Sequence, residues 1–342
     1  MDNYSFFEAE RKLMPELDKL LSKRFRILQA IQAYGPIGRR TLAEQVQLTE
    51  RDIRNELVNL VEQQLIFVQT KGVTCTQQGY EVLEQLSKLF HELSGLAQKE
   101  KQLAELLQIE QVVIVPGDVA EDPFVLEQLG KKAANCLTQI AQPHCKIAVT
   151  GGSSVATLTH YLTQTPILQT AQFIAARGGM GDEMPKQANT LASKFAKRTG
   201  GTYRTLFMPE HLSEQAYQAM KSEPIVQEMM ALYDEVDLVI HGIGAAKEMA
   251  TRRNSSASEQ SILEQKGAVG EAFGYYFGAD GQVVHQIRTI GIQLEQVKRS
   301  QRAIAIAAGE EKSAAIRSYF KNAAQQTILI TDERAATELL ST

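Results

Sequence analysis

No apolar run in the 342 residues reaches the roughly 18 needed to span a bilayer, so no membrane segment is expected. The opening stretch MDNYSFFEAERKLMPEL carries acids early and has no apolar core, which argues against an export signal. Cysteine is scarce. Cys75, Cys136 and Cys145 have no C-x-x-C spacing, so neither a disulfide framework nor a metal or redox pair is expected. Reduced, buried thiols suit a cytoplasmic protein. Neither a Walker A loop nor a G-x-G-x-x-G fingerprint accompanies the glycine-rich segments described below, and no cofactor is expected.

What is present is ordinary in bulk and uneven in detail. Apolar residues make up 44% and charged residues 22%, the values of a globular chain long enough for two domains. The net charge is −4, yet Lys19–Cys75 holds nine Lys/Arg against five Asp/Glu. A basic module on an acidic body points to a polyanion partner for that module alone.

The basic part reads as a helix-turn-helix with a wing. In FRILQAIQAY (25–34), Phe25, Leu28 and Ile31 share one helical face, and Gly35-Pro36 ends the helix. Thr41-Leu42-Ala43-Glu44 and Thr49-Glu50-Arg51-Asp52 each place an acid three residues after a threonine, the pattern of a capped helix start. Ile53, Leu57, Leu60 and Val61 continue the second of these helices. Leu65–Val68, a Lys71-Gly72 turn and Val73–Cys75 then form a β-hairpin. Thr49, Arg51, Arg54 and Asn55 fall on the outward first turns of the recognition helix, where arginine can read guanine and asparagine adenine. Arg39, Arg40 and Lys71 are the expected phosphate contacts. A winged helix used for protein contacts, with these arginines paired to Glu44, Glu50, Asp52 and Glu56, is the alternative.

Between residues 79 and 107, Val82, Leu86, Leu89, Leu93, Leu96, Leu103 and Leu107 alternate by fours and threes, with Glu100 at the missing position. This predicts a heptad seam that pairs two copies of the chain, since a winged helix reading a palindrome works as a dimer, and such dimers are expected to pair into a tetramer on DNA. A helix packed on its own domain has the same pattern. Boundaries at 1–75, 76–107 and 108–342 follow.

From residue 108, apolar β-rich runs at 111–115, 146–150, 172–176, 203–208, 236–241, 303–308 and 327–331 alternate with helical stretches. That predicts an α/β domain, doubly wound around a mainly parallel sheet, with ligands at the carboxyl ends of its strands. Three strands end in glycine-rich loops: Thr150-Gly151-Gly152-Ser153-Ser154, Ala176-Arg177-Gly178-Gly179-Met180-Gly181 and His241-Gly242-Ile243-Gly244. Bare backbone before a new helix favours an anion. Arg177, the Arg252-Arg253 pair and Lys312 add cations, enough for a ligand with two phosphates. Gln187 and Glu271 are candidates for sugar hydroxyls.

The segments TGGSS, ARGGMGDE with QAN at 187–189, DLVIHGIG, TRR at 251–253, KGAVGEAFGYYF, AAGEEK and ITDERAATELL resemble the SorC family of bacterial sugar-responsive regulators, over nearly the whole chain. The resemblance implies a winged-helix reader of operator DNA and an effector domain related to glucosamine-6-phosphate deaminase and ribose-5-phosphate isomerase. In its nearest members it implies a self-associating repressor of a glycolytic operon, with fructose 1,6-bisphosphate as inducer. It places ligand contacts at Gly151, Gly152, Ser153, Ser154, Arg177, Gln187, Arg252, Glu271 and Lys312. The chain departs from the nearest members in having Ser153-Ser154 where threonines are expected; the hydroxyls survive. A different phosphosugar, or an isomerase or deaminase activity, is the alternative. Against the latter, Ala245-Ala246-Lys247 follow Gly244, and alanine supplies no acid or base.

Overall fold

The computed structural model describes residues 13–179 and 183–341. Met180 and Gly181 of the second glycine loop, and residues 1–12 of the expected non-exported start, lie outside them. The chain divides into two compact units, residues 1–97 and 98–342. Among the described residues no helix is long and apolar enough to cross a membrane.

The first unit contains helices α1 (Pro15–Tyr34), α2 (Arg39–Val46) and α3 (Glu50–Glu62), strands β1 (Ile66–Gln69) and β2 (Gly72–Cys75), and helix α4 (Gln77–Leu93). Its core holds Ile27, Leu28 and Ile31 of α1, Leu42 and Val46 of α2, and Ile53, Leu57 and Leu60 of α3. Val61 stays 42% exposed. Thr49 caps α3, its hydroxyl accepting from the Asp52 N–H at 3.1 Å. Thr41 is not a cap. Ile37 exchanges both backbone hydrogen bonds with Val73 of the wing, and α2 starts directly afterwards with Gly38 as its N-cap. The strand bridge sets the helix start two residues before the threonine can act.

The predicted seam is not one helix. Gly95, at φ +69°, separates α4 from α5 (Leu96–Leu107). Val82, Leu86 and Leu89 are half-buried on α4, while Leu103 and Leu107 are buried on α5. Glu100, the polar member of the series, lies in the second unit and accepts the backbone N–H of Ile114 at 2.7 Å. Ile114 lies on an edge strand, and the glutamate supplies an acceptor for a backbone donor there.

The second unit is built on seven parallel strands: β3 (Gln111–Val115), β4 (Lys146–Val149), β5 (Gln172–Ala175), β6 (Thr202–Arg204), β7 (Leu238–Gly242), β12 (Arg302–Ile306) and β13 (Thr327–Asp332). Their order is β3-β13-β12-β7-β4-β5-β6, with every pairing parallel. These are the seven runs read from the sequence. Ile147, Val149, Phe173, Ile240, Ile304 and Ile330 form the sheet's share of the core, covered by helices such as Pro123–Ile140 and Ala188–Thr199. Strand β6 is shorter than predicted. Past Arg204 the backbone of Leu206 pairs instead with the side-chain amide of Asn189, whose NH2 donates to the Leu206 carbonyl and whose oxygen accepts the Leu206 N–H, each at 2.8 Å.

A second sheet of four antiparallel strands was not foreseen: β8 (Gly244–Ala245), β9 (Ala268–Ala272), β10 (Tyr275–Gly278) and β11 (Val283–Gln286), in the order β11-β10-β9-β8. Its glycines and polar residues hide the alternation that marks a strand. This sheet brings Glu271 and Phe273 to the ends of the main strands.

Candidate functional site

On the first unit, Arg39, Arg40, Thr49, Arg51, Arg54, Asn55 and Lys71 are all exposed. Arg51, Arg54 and Asn55 are spaced by three and four on α3, so they share a face. Two of the acids around them are otherwise engaged. Glu56 is buried and held by Lys23 at 2.5 Å and Arg24 at 2.7 Å, both from α1. Asp52 accepts from the Thr49 hydroxyl at 2.6 Å. Arg40 pairs with Glu44 at 3.4 Å, an exposed contact of little energetic weight. Among the described residues no ion pair ties down Arg51 or Arg54. That leaves two cations and an amide on an accessible helix start, with Lys71 on the wing turn.

On the second unit, the carboxyl ends of β4, β5, β7 and β12 open into one cleft of about 390 Å³. Gly151, Gly152, Ser153, Ser154, Arg177, Gln187, Arg252, Glu271 and Lys312 all line it. Residues 150–155 and 186–188 both contribute to its lining. A Cβ on Gly151 would sit 2.7 Å from the Lys186 carbonyl oxygen, and Gly152 has φ +121°, so both positions need glycine. The Gly152 N–H donates to that same carbonyl at 2.8 Å. Lys186, Glu210 and Asn254 also line the cleft, and no sequence pattern marked them; Thr251 lines it as well, from the TRR segment.

The cations of the cleft differ in availability. Lys312 follows Gly309, whose positive φ opens the turn Glu310–Lys312. Among the described residues no ion-pair or hydrogen-bond partner meets the Lys312 ammonium. Arg252 is loosely held by Glu183 at 3.6 Å and Glu248 at 3.8 Å. Lys186 pairs with Glu183 at 2.9 Å.

Arg177 is different. The sequence offers it as one of the site's cations; it lines the cleft, but it is 8% exposed and is met by Glu210 and by Glu271, the latter at 3.3 Å. Arg253 does not line the cleft as expected. Its side chain is 4% exposed behind it, reaching Glu271 at 2.8 Å, Glu210 at 3.2 Å and the Tyr276 hydroxyl at 3.1 Å. Arg252 ends the helix Ala246–Arg252 and faces the cleft, while Arg253, the next residue, turns toward Glu210, Glu271 and Tyr276. Two guanidinium groups and two carboxylates thus form a buried group without net charge. Burial pushes the Glu271 carboxyl up, but Arg253 and Arg177 outweigh it and hold it below the ordinary range. Burial, then the neighbouring Arg253, lowers Arg177 to about 10, which leaves it charged at neutral pH.

His241 is fully buried, one residue before the cleft-lining Gly242, with its ring tilted against those of Phe273 (4.6 Å between ring centres) and Tyr319 (5.3 Å). Burial lowers its pKa to about 4, so it is neutral. Among the described residues no cluster of three or more His, Cys, Asp or Glu could hold a metal ion.

Comparison with known proteins divides the chain in the same sense. The sugar-binding domain family matches residues 91–341, and the CggR N-terminal DNA binding domain family matches residues 20–90. The chain is 39% identical to the central glycolytic genes regulator of Bacillus subtilis over 333 residues, 97% of this chain and 98% of that one. With the namesake of Priestia megaterium it shares 40% over 337 residues, 98% of each. Among solved structures, a SorC family transcriptional regulator from Enterococcus faecalis matches at 39% identity and TM-score 0.66, over 71% of this chain and 99% of that one. The full-length sorbitol operon regulator SorC from Klebsiella pneumoniae has the same fold at 19% identity and TM-score 0.68, over 92% of this chain and 97% of that one.

Proposed function

The chain belongs to the SorC family of transcriptional regulators, beside the central glycolytic genes regulators, and on that premise we propose that it represses a glycolytic operon and is released from its operator by fructose 1,6-bisphosphate. One observation carries the effector reading: the glycine-serine loop and the cations Lys186, Arg252 and Lys312 line a single cleft at the strand ends. Glycines let phosphate oxygens approach the backbone, and two separated phosphates match cations on both sides. The exposed Arg51, Arg54 and Asn55 support operator reading by α3, with two copies of the chain on the two half-sites. The half-buried α4 residues Val82, Leu86 and Leu89 are the surface we assign to that pairing. No acid–base group stands at 245–246, which supports a sensor without catalysis.

The mechanism is a linkage. If the bisphosphate weakens operator affinity by some factor, the operator weakens bisphosphate affinity by the same factor. The test is a melting-point screen with glycolytic phosphosugars, followed by operator gel shifts with each ligand that stabilises the protein. Fructose 1,6-bisphosphate should raise the melting point and release the DNA. Stabilisation by another phosphosugar in its place would reassign the effector, and release without stabilisation would move the site away from the cleft.

A further inference from the structure

The outward side of α3 carries an apolar residue among its polar ones. Ile53, Leu57 and Leu60 turn into the core of the first unit, and Glu56 is held by Lys23 and Arg24 of α1. At about 100° per residue, Val58 points about 150° away from Ile53 and Leu60, and it is 54% exposed. Arg51, Arg54 and Asn55 stand seven, four and three residues before it, so all four lie on one strip of the helix. Glu62, one turn further on, is exposed on the same side and ends the strip with a charge that phosphates repel. Nothing in the chain's own fold rewards a valine at position 58. Its branched side chain gives up rotamer freedom in a helix, where alanine gives up none, and its exposed methyls bury no surface. A partner that covers it has to accept the cations beside it. A second copy laid on this strip would bring Arg51 and Arg54 of both chains together, and exposed cations repel one another. A polyanion matches them. In the major groove of DNA the base edges are hydrogen-bond donors and acceptors, with one apolar exception, the 5-methyl group of thymine.

We propose that Val58 is a specificity-determining residue of the operator reader and packs on the 5-methyl group of a thymine, beside the bases met by Arg51, Arg54 and Asn55. The inference rests on the operator reading above and deepens it, because it adds an apolar contact to a face read so far as polar. Val58 stands two turns along the helix from Arg51, about 10.5 Å of rise, so the thymine lies within about three base pairs of the base that Arg51 meets. Each half-site receives one such helix, so the thymine occurs once in each. Losing its methyl group removes the burial of one carbon and no hydrogen bond. The effect is therefore small and local, about fourfold per half-site, the equivalent of about 0.8 kcal/mol.

The experiment first selects a binding site from a pool of random-sequence duplex DNA with the full chain. Each thymine of the selected site is then replaced by deoxyuridine, which lacks only the 5-methyl group, and binding is read by gel shift at fixed salt. At one thymine per half-site the replacement should weaken the wild type about fourfold, and about fifteenfold when made in both half-sites. Val58→Ser should weaken the thymine site by the same factor and no longer distinguish it from the uracil site. Val58→Thr, with the same branched outline and one methyl, should keep part of the preference. Both variants should melt with the wild type, because the position is exposed. A uracil effect that survives undiminished in Val58→Ser overturns the assignment, as does a selected site in which no thymine responds. Selection of no preferred sequence overturns the operator reading of α3 itself, so the two failures are distinguishable.

Discussion

Asp332 closes strand β13 and is fully buried, yet its partners are all backbone amides. Oδ1 accepts the N–H of Gly309 at 3.0 Å and of Ala335 at 3.1 Å, and Oδ2 accepts the N–H of Val119 at 2.9 Å. One carboxylate therefore ties the turn leading to Lys312 to the start of the C-terminal helix and to the loop after β3. Asp332→Asn keeps the shape but turns one acceptor into a donor. In its best orientation the amide oxygen retains Gly309 and Ala335, and its NH2 then faces the Val119 N–H. One hydrogen bond to a charged acceptor is lost, worth about 1.5–3 kcal/mol, and a donor confronts a donor. Val119 is half-exposed and can recruit water, so the total should be about 3 kcal/mol. For a unit of this size that corresponds to a fall of about 6–12 °C in melting temperature. Calorimetry of the full chain, at pH 7 without ligand, measures it. A shift under about 2 °C, within the range of a neutral surface change, would refute the claim that the three bonds act through the charge.

Arg51→Ala should weaken operator binding by about 1–3 kcal/mol in a gel-shift titration and leave bisphosphate affinity unchanged; an unaltered operator affinity removes Arg51 from the interface. Arg252→Ala should give a protein that holds DNA and no longer lets go when fructose 1,6-bisphosphate is added, and a normal release in the same gel shift would take Arg252 out of the site. His241 contributes a pH dependence of definite sign. Its folded pKa is about 4, below the unfolded 6.5, so the unfolded chain binds the extra proton first and stability is lost as pH falls through that window. Between pH 7 and pH 5 the loss should be about 2 kcal/mol, and it should disappear from urea-unfolding curves of His241→Gln; an equally steep loss in that variant assigns the acid sensitivity to other groups.

The seven strands of the main sheet were legible because each is a short apolar run bounded by turn residues, and a buried parallel strand has no other requirement. The strand-end loops were legible for the same reason, since Gly151 and Gly242 follow directly on those runs and Gly178 comes one residue later, after Arg177. What could not be read depends on partners distant in sequence. Glu210 comes from an irregular segment after β6, with no periodicity to place it. Its meeting with Arg177 and Arg253 joins a residue just past β5 to the residue that caps the helix Ala246–Arg252, which are far apart in sequence. Arg252 and Arg253 looked equivalent in sequence, yet one lines the cavity and the other is sealed behind it.

The leucine series between 79 and 107 shows the same limit from the other side. A spacing of fours and threes records which face of a helix is apolar and says nothing of what covers that face. Leu103 and Leu107 are buried within the chain's own fold, and the polar exception, Glu100, is committed to the backbone of Ile114. Gly95 then divides the series, and the members of it that stay half-buried among the described side chains lie on α4. Val82, Leu86 and Leu89 are spaced by four and three on that helix and are only half-buried. A pairing seam of that length is about two helical turns. Seams so short are marginal by themselves. A dimer built on it therefore has to draw further contacts from elsewhere in the chain or from the operator that holds both copies. Its dissociation should accordingly respond to DNA, and sedimentation of the free protein against concentration, with and without operator, reads that response.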